Sequence, residues 1–456
     1  MAYARCWDRP ALTAPLSVRV VRVGMAHCRP GARPTGRPRC PVLGRQPAGF
    51  PAAPGRRMQT GPGRTAGPSL FRMLEWHEHI EAERQQPGAR VFLSDYNGGH
   101  PYVERYLGEL AHTAPRHLAD ITRYSGLDED LKLRSKIAAM HERYDGVAYG
   151  ERNVVPAGGS SSVLGTFVTW LAVNGHRRVH YVAPVYYKLA YLLREFGIEP
   201  VPVASGHAYQ SEFDLSLPDE RTVLVLTDPV WYAGRRVPVD VLDAIAAWQQ
   251  TTGSLVFIDG TFQYMPWDGR LGEASARLPA EHTLRMVCPT KYLSIHGYRC
   301  AHLLVPAALR QELADLHINL HGDISVSDRL FAHRAADLMS RHGNEGLVGH
   351  IRDNHARLIA SGALAAWTPV ETGFFLFGRP RVPHRWFLAL DERYFELEGH
   401  PGYVRINLLN PTAIEALAAT VSDRGASVTS GNGGFLGHSE SGAGAGEGVP
   451  TSPHSG

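Results

Sequence analysis

The stretch Cys288-Pro289-Thr290-Lys291-Tyr292-Leu293-Ser294-Ile295-His296-Gly297-Tyr298-Arg299 turns on its lysine. Only four lysines occur in 456 residues, Lys132, Lys136, Lys188 and Lys291, and the rest of the Lys+Arg total of 47 is arginine. A chain that otherwise uses arginine and keeps a lysine here points to amine chemistry. A guanidinium neither loses its proton nor condenses with a carbonyl. A mainly apolar run, Ala301-His302-Leu303-Leu304-Val305, follows almost at once. A surface lysine spared by codon bias would look the same in isolation, so the reading depends on what stands elsewhere.

Outward from Lys291 the chain alternates short β-rich runs with helical ones. The runs are Val179–Ala183, Glu199–Val203, Val223–Thr227, Leu255–Asp259, Met286–Cys288 and Ala301–Val305. Helical stretches over Ser161–Val173, Tyr187–Phe196 and Val239–Gln250 separate several of them. This alternation predicts an α/β fold with a mostly parallel sheet covered by helices. Ligands of such sheets sit at the carboxyl ends of the strands. Asp228, Asp259 and Lys291 each follow an apolar run and can converge there. From about Pro306 a long helical region leads into a second α+β unit, with a strand over Tyr403–Asn407 and a last helix over Ala413–Val421.

Composition bounds the rest. Hydrophobic content of 44% and charged content of 20% are those of an ordinary soluble protein. No apolar run approaches membrane-spanning length, so no membrane association is expected. Residues 1–72 hold thirteen arginines against one acid, Asp8, which leaves the remainder acidic. The basic pI of 8.6 therefore gives no reason to expect nucleic-acid binding. This Arg/Pro/Gly-rich head is expected to be disordered, or an upstream extension ahead of a start at Met58 or Met73. Residues 425–456 are read as a disordered tail. Five cysteines without CxxC or metal-ligand spacing predict no disulfide framework, no metal site and a cytoplasmic setting.

The lysine segment, with Gly297 and Arg299, resembles that of fold-type-I pyridoxal-phosphate enzymes. Over roughly residues 90–420 the chain is similar to class I/II aminotransferases. The resemblance implies a seven-stranded-type, mostly parallel sheet in a large cofactor domain, residues 120–305. A smaller α+β domain would be built from 73–119 and 306–424. Lys291 would carry pyridoxal 5'-phosphate. Asp259, ending its strand, would pair with the pyridinium nitrogen; otherwise it is an aspartate capping a turn. Gly159, Ser160 and Ser161, opening a helix, would cradle the phosphate, and Arg299 would add a bidentate charge. Without a phosphate, the Gly/Ser turn is an ordinary cap. Tyr186 matches the residue that stacks on the ring, and an aromatic there could equally be core. Tyr124 matches a tyrosine that reaches the phosphate of a partner subunit, which implies a homodimer. Arg405 matches the arginine that holds the substrate carboxylate, its alternative being a surface ion pair. Gly99 matches a glycine beside that carboxylate, or is a plain turn glycine.

Three positions depart from the pattern. Trp231 stands where an asparagine is expected and Phe262 where a tyrosine is, both donors to the cofactor's phenolic oxygen. Cys288 stands where a phosphate-binding serine is expected, and a thiol is a weak donor. Tyr232 or Tyr264 could substitute for the missing donors. The implied activity is transfer of an amino group between an α-amino acid and a 2-oxo acid, in specialised metabolism. The alternative is elimination, decarboxylation, aldol cleavage or oxidation of an amino acid on the same scaffold. A transcription regulator with an aminotransferase-like domain would need an N-terminal winged helix, and residues 1–72 hold too much Pro and Gly for one.

Overall fold

The computed structural model describes residues 70–419, apart from most of 103–129 and from 88, 89, 97, 271, 384, 385 and 398. Its centre is a seven-stranded sheet. In chain order the strands are β1 (Val154–Ala157), β2 (Arg178–Tyr181), β3 (Glu199–Pro202), β4 (Val223–Thr227), β5 (Leu255–Gly260), β6 (Thr283–Val287) and β7 (Ala301–Leu304). Their spatial order is β1-β7-β6-β5-β4-β2-β3. Only β7 runs against its neighbours, pairing antiparallel with both β1 and β6. The other pairings are parallel.

The apolar runs decide which strands lie inside. All five residues of β4 and all five of β6 are buried, as expected of strands covered on both faces. Prolines fall only at the margins: Pro156 in β1 and Pro200 and Pro202 in β3, the two edge strands. A proline cannot donate to a ladder, so an edge is where it is tolerated. Strand β1 was not expected from the sequence, because its four residues include that proline.

Crossover helices return the chain between parallel strands. They are α3 (Ser160–Val173), α4 (Tyr187–Glu195) and α5 (Val239–Thr252), preceded in the chain by α1 (Arg72–Arg84) and α2 (Leu131–Asp145). Helix α2 starts on Asp130, whose side chain accepts from Leu133 N at 2.9 Å. It stops at Gly146, whose φ of +69° suits glycine. A one-turn helix, α6 (Pro289–Tyr292), carries Lys291. The long helical region after Pro306 is three helices, α7 (Arg310–His321), α8 (Val326–His342) and α9 (Glu345–Ala360). An antiparallel three-stranded sheet follows, Leu364–Trp367, Phe375–Pro380 and Val404–Asn407, and then a helix over 411–419. Leu70 is buried and α1 begins at Arg72, both within the stretch read from sequence as the head.

Because β1, β2, β4, β5 and β6 run the same way, the loops that follow them leave one edge of the sheet. Those loops carry Gly158-Gly159, Tyr186, Trp231, Thr261 and Lys291.

Candidate active site

The loops enclose a cavity of about 220 Å³. Gly159, Ser160, Ser161, Tyr186, Trp231, Asp259, Phe262, Cys288, Lys291 and Arg299 all line it, every one singled out from the sequence. Tyr124 lies outside the described residues. Gly99 and Arg405 are not among the lining residues. Gly99 is exposed with open space around it, whereas a Cβ on Gly98 would sit 2.5 Å from the Leu409 Cβ.

Lys291 projects between rings: its Nζ is 5.1 Å from the Tyr96 centroid and 5.7 Å from that of Phe262. Burial pulls its amine down from 10.5 to about 8, and the nearby guanidiniums of Arg299 and Arg405 push the same way. Asp259 is buried, and its Oδ1 accepts from the backbone N of Thr261 at 3.1 Å and from Thr261 Oγ1 at 2.5 Å. Burial raises its carboxyl pKa, against the pull of those two bonds. No basic side chain pairs with Asp259 among the described residues.

At the other end of the cavity, Gly159 precedes α3 with a φ of +113°. A Cβ there would lie 2.8 Å from Arg299 Nη2, so glycine lets the guanidinium close over the helix N-terminus. The first N–H groups of a helix have no acceptors within it and attract anions. Lys188 also lines this end, and its Nζ donates to Ser161 Oγ at 2.8 Å. Cys288 is buried, its thiol pushed up to about 12 by burial, and its Sγ reaches Thr261 Oγ1 at 3.9 Å.

The expected group is a pyridinium ring with an aldehyde and a phosphate. The residues present fit it. Asp259 is a buried carboxyl with no basic partner among the described residues, Gly159 and Arg299 form a cradle that any side chain would fill, and Lys291, lining the same cavity, is an amine whose pKa burial lowers.

The substrate side is aromatic. Trp231 and Phe262 stack with centroids 6.1 Å apart and planes 24° from parallel. Arg405 is fully buried behind this wall, 4.4 Å from the centroids of Tyr96 and Phe375 and 4.9 Å from that of Trp231. Its Nη1 donates to Tyr96 OH at 2.9 Å and its Nη2 to the Ser94 carbonyl. His296 lines the cavity as a neutral ring, lowered to about 3 by burial first and then by Lys291.

Three sequence expectations are overturned. Asp228 does not converge on the site; it is buried and accepts from Val237 N at 3.1 Å, closing the turn after β4. Tyr232 bonds His207 Nδ1 at 2.7 Å and Tyr209 OH at 3.0 Å. Tyr264 bonds Asp145 at 2.6 Å and His141 at 2.5 Å, inside a buried cluster with Arg285. Neither hydroxyl lines the cavity, so neither replaces the donors missing at Trp231 and Phe262. The sequence reading missed Tyr96, Lys188, Thr261, Thr290 and His296. Thr261, Thr290 and His296 adjoin singled-out residues and Lys188 is one of the four lysines, so these were within reach; Tyr96 carried no local signal.

Comparison with known proteins shows the family and the fold. The family model for "Aminotransferase class I and II" matches residues 105–421. An aminotransferase from Mycobacterium tuberculosis superposes with a TM-score of 0.61 at 20% identity, over 80% of this chain and 100% of that one. The N-succinyldiaminopimelate aminotransferase of the same organism gives 0.60 at 17%, over 78% and 100%. The aspartate aminotransferase of Thermotoga maritima gives 0.62 at 14%, over 78% and 96%. At these identities the likeness is one of fold. Among curated proteins, none matches the sequence.

Proposed function

This chain belongs to the class I and II aminotransferase family, fold-type-I enzymes that use pyridoxal 5'-phosphate, and from that premise we propose that it moves an amino group between an α-amino acid and a 2-oxo acid, with Lys291 as the catalytic amine. The observation that carries this is a buried lysine, its pKa lowered to about 8, in one cavity with a buried carboxyl that has no basic partner among the described residues.

Each residue's task follows from its surroundings. With its amine pKa lowered to about 8, Lys291 Nζ would be the amine that joins the cofactor's aldehyde and the base for the substrate Cα proton. Pyridoxal phosphate, when bound, supplies the aldehyde for amine exchange and a ring that accepts the electron pair left at Cα. Asp259 would hold a proton on the ring nitrogen, since a cation beside it would relieve the burial of its charge. Gly159, Ser160, Ser161 and Arg299, which line the cavity, would hold the phosphate, and Tyr186 would stack on the ring. Arg405 is the fork for the substrate carboxylate, reached when Tyr96 OH gives up Nη1. Gly99 would border that carboxylate, and Tyr124 of a partner subunit would reach the phosphate, making the working unit a homodimer. Among the described residues no helix is long and apolar enough to cross a membrane. A cytoplasmic place in specialised metabolism completes this reading.

Borohydride reduction of the holoenzyme followed by peptide mapping tests it. A pyridoxyl group on Lys291 is expected, and one on Lys132, Lys136 or Lys188 would end the reading. A second reading, elimination, decarboxylation, aldol cleavage or oxidation on the same scaffold, is favoured by one observation. The wall formed by Trp231 and Phe262 offers no hydroxyl to the ring's phenolic oxygen, and Tyr232 and Tyr264 are engaged elsewhere. Single-turnover product analysis separates the two, because only transamination converts the cofactor to its amine form.

A further inference from the structure

Lys188 is placed against electrostatic preference. It lies in the first turn of α4, where the helix dipole disfavours a cation. No acidic residue occupies that turn. It faces Arg299 across the cavity end, and the two charges share no carboxylate among the described residues. Burial lowers its amine pKa, and Arg299 lowers it further. Among the described residues it donates to the neutral hydroxyl of Ser161, at 2.8 Å. Dipole, like charge and desolvation all act against it, and a single dianion at the α3 N-terminus would offset them.

We propose that Lys188 is a phosphate-binding residue, forming with Arg299 a two-cation clamp on the cofactor's phosphate. This rests on the cofactor reading above. It gives the clamp a physical purpose in this chain: Cys288, buried and a weak donor, contributes little hydrogen bonding to an anion, whereas an ammonium contributes charge and three donors. Ser161 orients the ammonium toward the Gly159 cradle.

The test is equilibrium binding of pyridoxal 5'-phosphate and of pyridoxal, which lacks the phosphate, to the cofactor-free full chain. Binding is followed by quenching of tryptophan fluorescence, and Lys188→Met and Lys188→Arg are compared with the wild type. Lys188→Met is expected to weaken the phosphate ester between about 10- and 100-fold, the range of one charged hydrogen bond. Pyridoxal affinity should stay within about twofold, and Lys188→Arg should recover most of the loss. Lys188→Met should also flatten the salt dependence of phosphate-ester binding. Equal losses for both ligands, or none for either, would overturn the clamp. If the wild type bound the phosphate ester no tighter than pyridoxal, the phosphate site itself would fall, a result distinct from failure of Lys188 alone. Should Lys188→Met not fold, Lys188→Gln carries the same comparison.

Discussion

Lys291 should weaken the cofactor-free protein that it equips for chemistry. Unfolded, its amine holds a proton up to about pH 10.5; folded, only up to about 8. At roughly 1.4 kcal/mol per unit, the difference is about 3 kcal/mol of destabilisation carried by the protonated side chain below pH 8. Between the two values the unfolded state binds more protons. Stability therefore rises with pH across that window and the penalty disappears above it. Lys291→Met keeps the length of the side chain and removes the charge. The stripped variant should be more stable than the stripped wild type at pH 7, by up to about 3 kcal/mol, and the gap should close toward pH 10.5. Urea unfolding of both proteins at pH 7, 8, 9 and 10 measures it. A packing gain from methionine would not vary with pH, so the slope identifies the charge. A gap that is the same at pH 7 and pH 10, or a wild type that is the more stable at pH 7, would refute the account of Lys291 as a buried, depressed amine.

Asp259→Asn should cut turnover by about 100-fold or more while the cofactor is retained, because an amide cannot stabilise the ring-nitrogen proton as a carboxylate does; a change confined to KM would contradict its role. Phe262→Tyr should lower the pH at which the bound cofactor's absorbance changes, by about one unit or 1.4 kcal/mol, by restoring a donor. An unmoved titration would mean that Phe262 does not face the phenolic oxygen. Tyr124→Phe should speed cofactor loss during gel filtration without lowering Tm, and a wild type fully active as a monomer at low concentration would rule out the shared site.

The residues legible in the chain are those whose positions follow from local pattern. Lys291, Tyr186 and Trp231 each stand a few residues beyond an apolar strand, Asp259 stands near the end of one, and Gly159 to Ser161 open a helix. In a parallel sheet such positions leave one edge together, so alternation alone carries them to one place. Strand β1 escaped notice because Pro156 breaks its β pattern, and only its place at the sheet edge makes that proline acceptable. Packing had to choose between two carboxylates that looked alike. Asp228 and Asp259 both end buried strands, but Asp228 is spent on the Val237 amide while Asp259 lines the cavity. The same holds for Tyr96, which reaches Arg405 across 309 positions of chain, and for His296 and Lys188. Their roles depend on which side chains, distant in sequence, share a small volume. Burial and neighbouring charge are properties of that volume, and periodicity along the chain does not encode them.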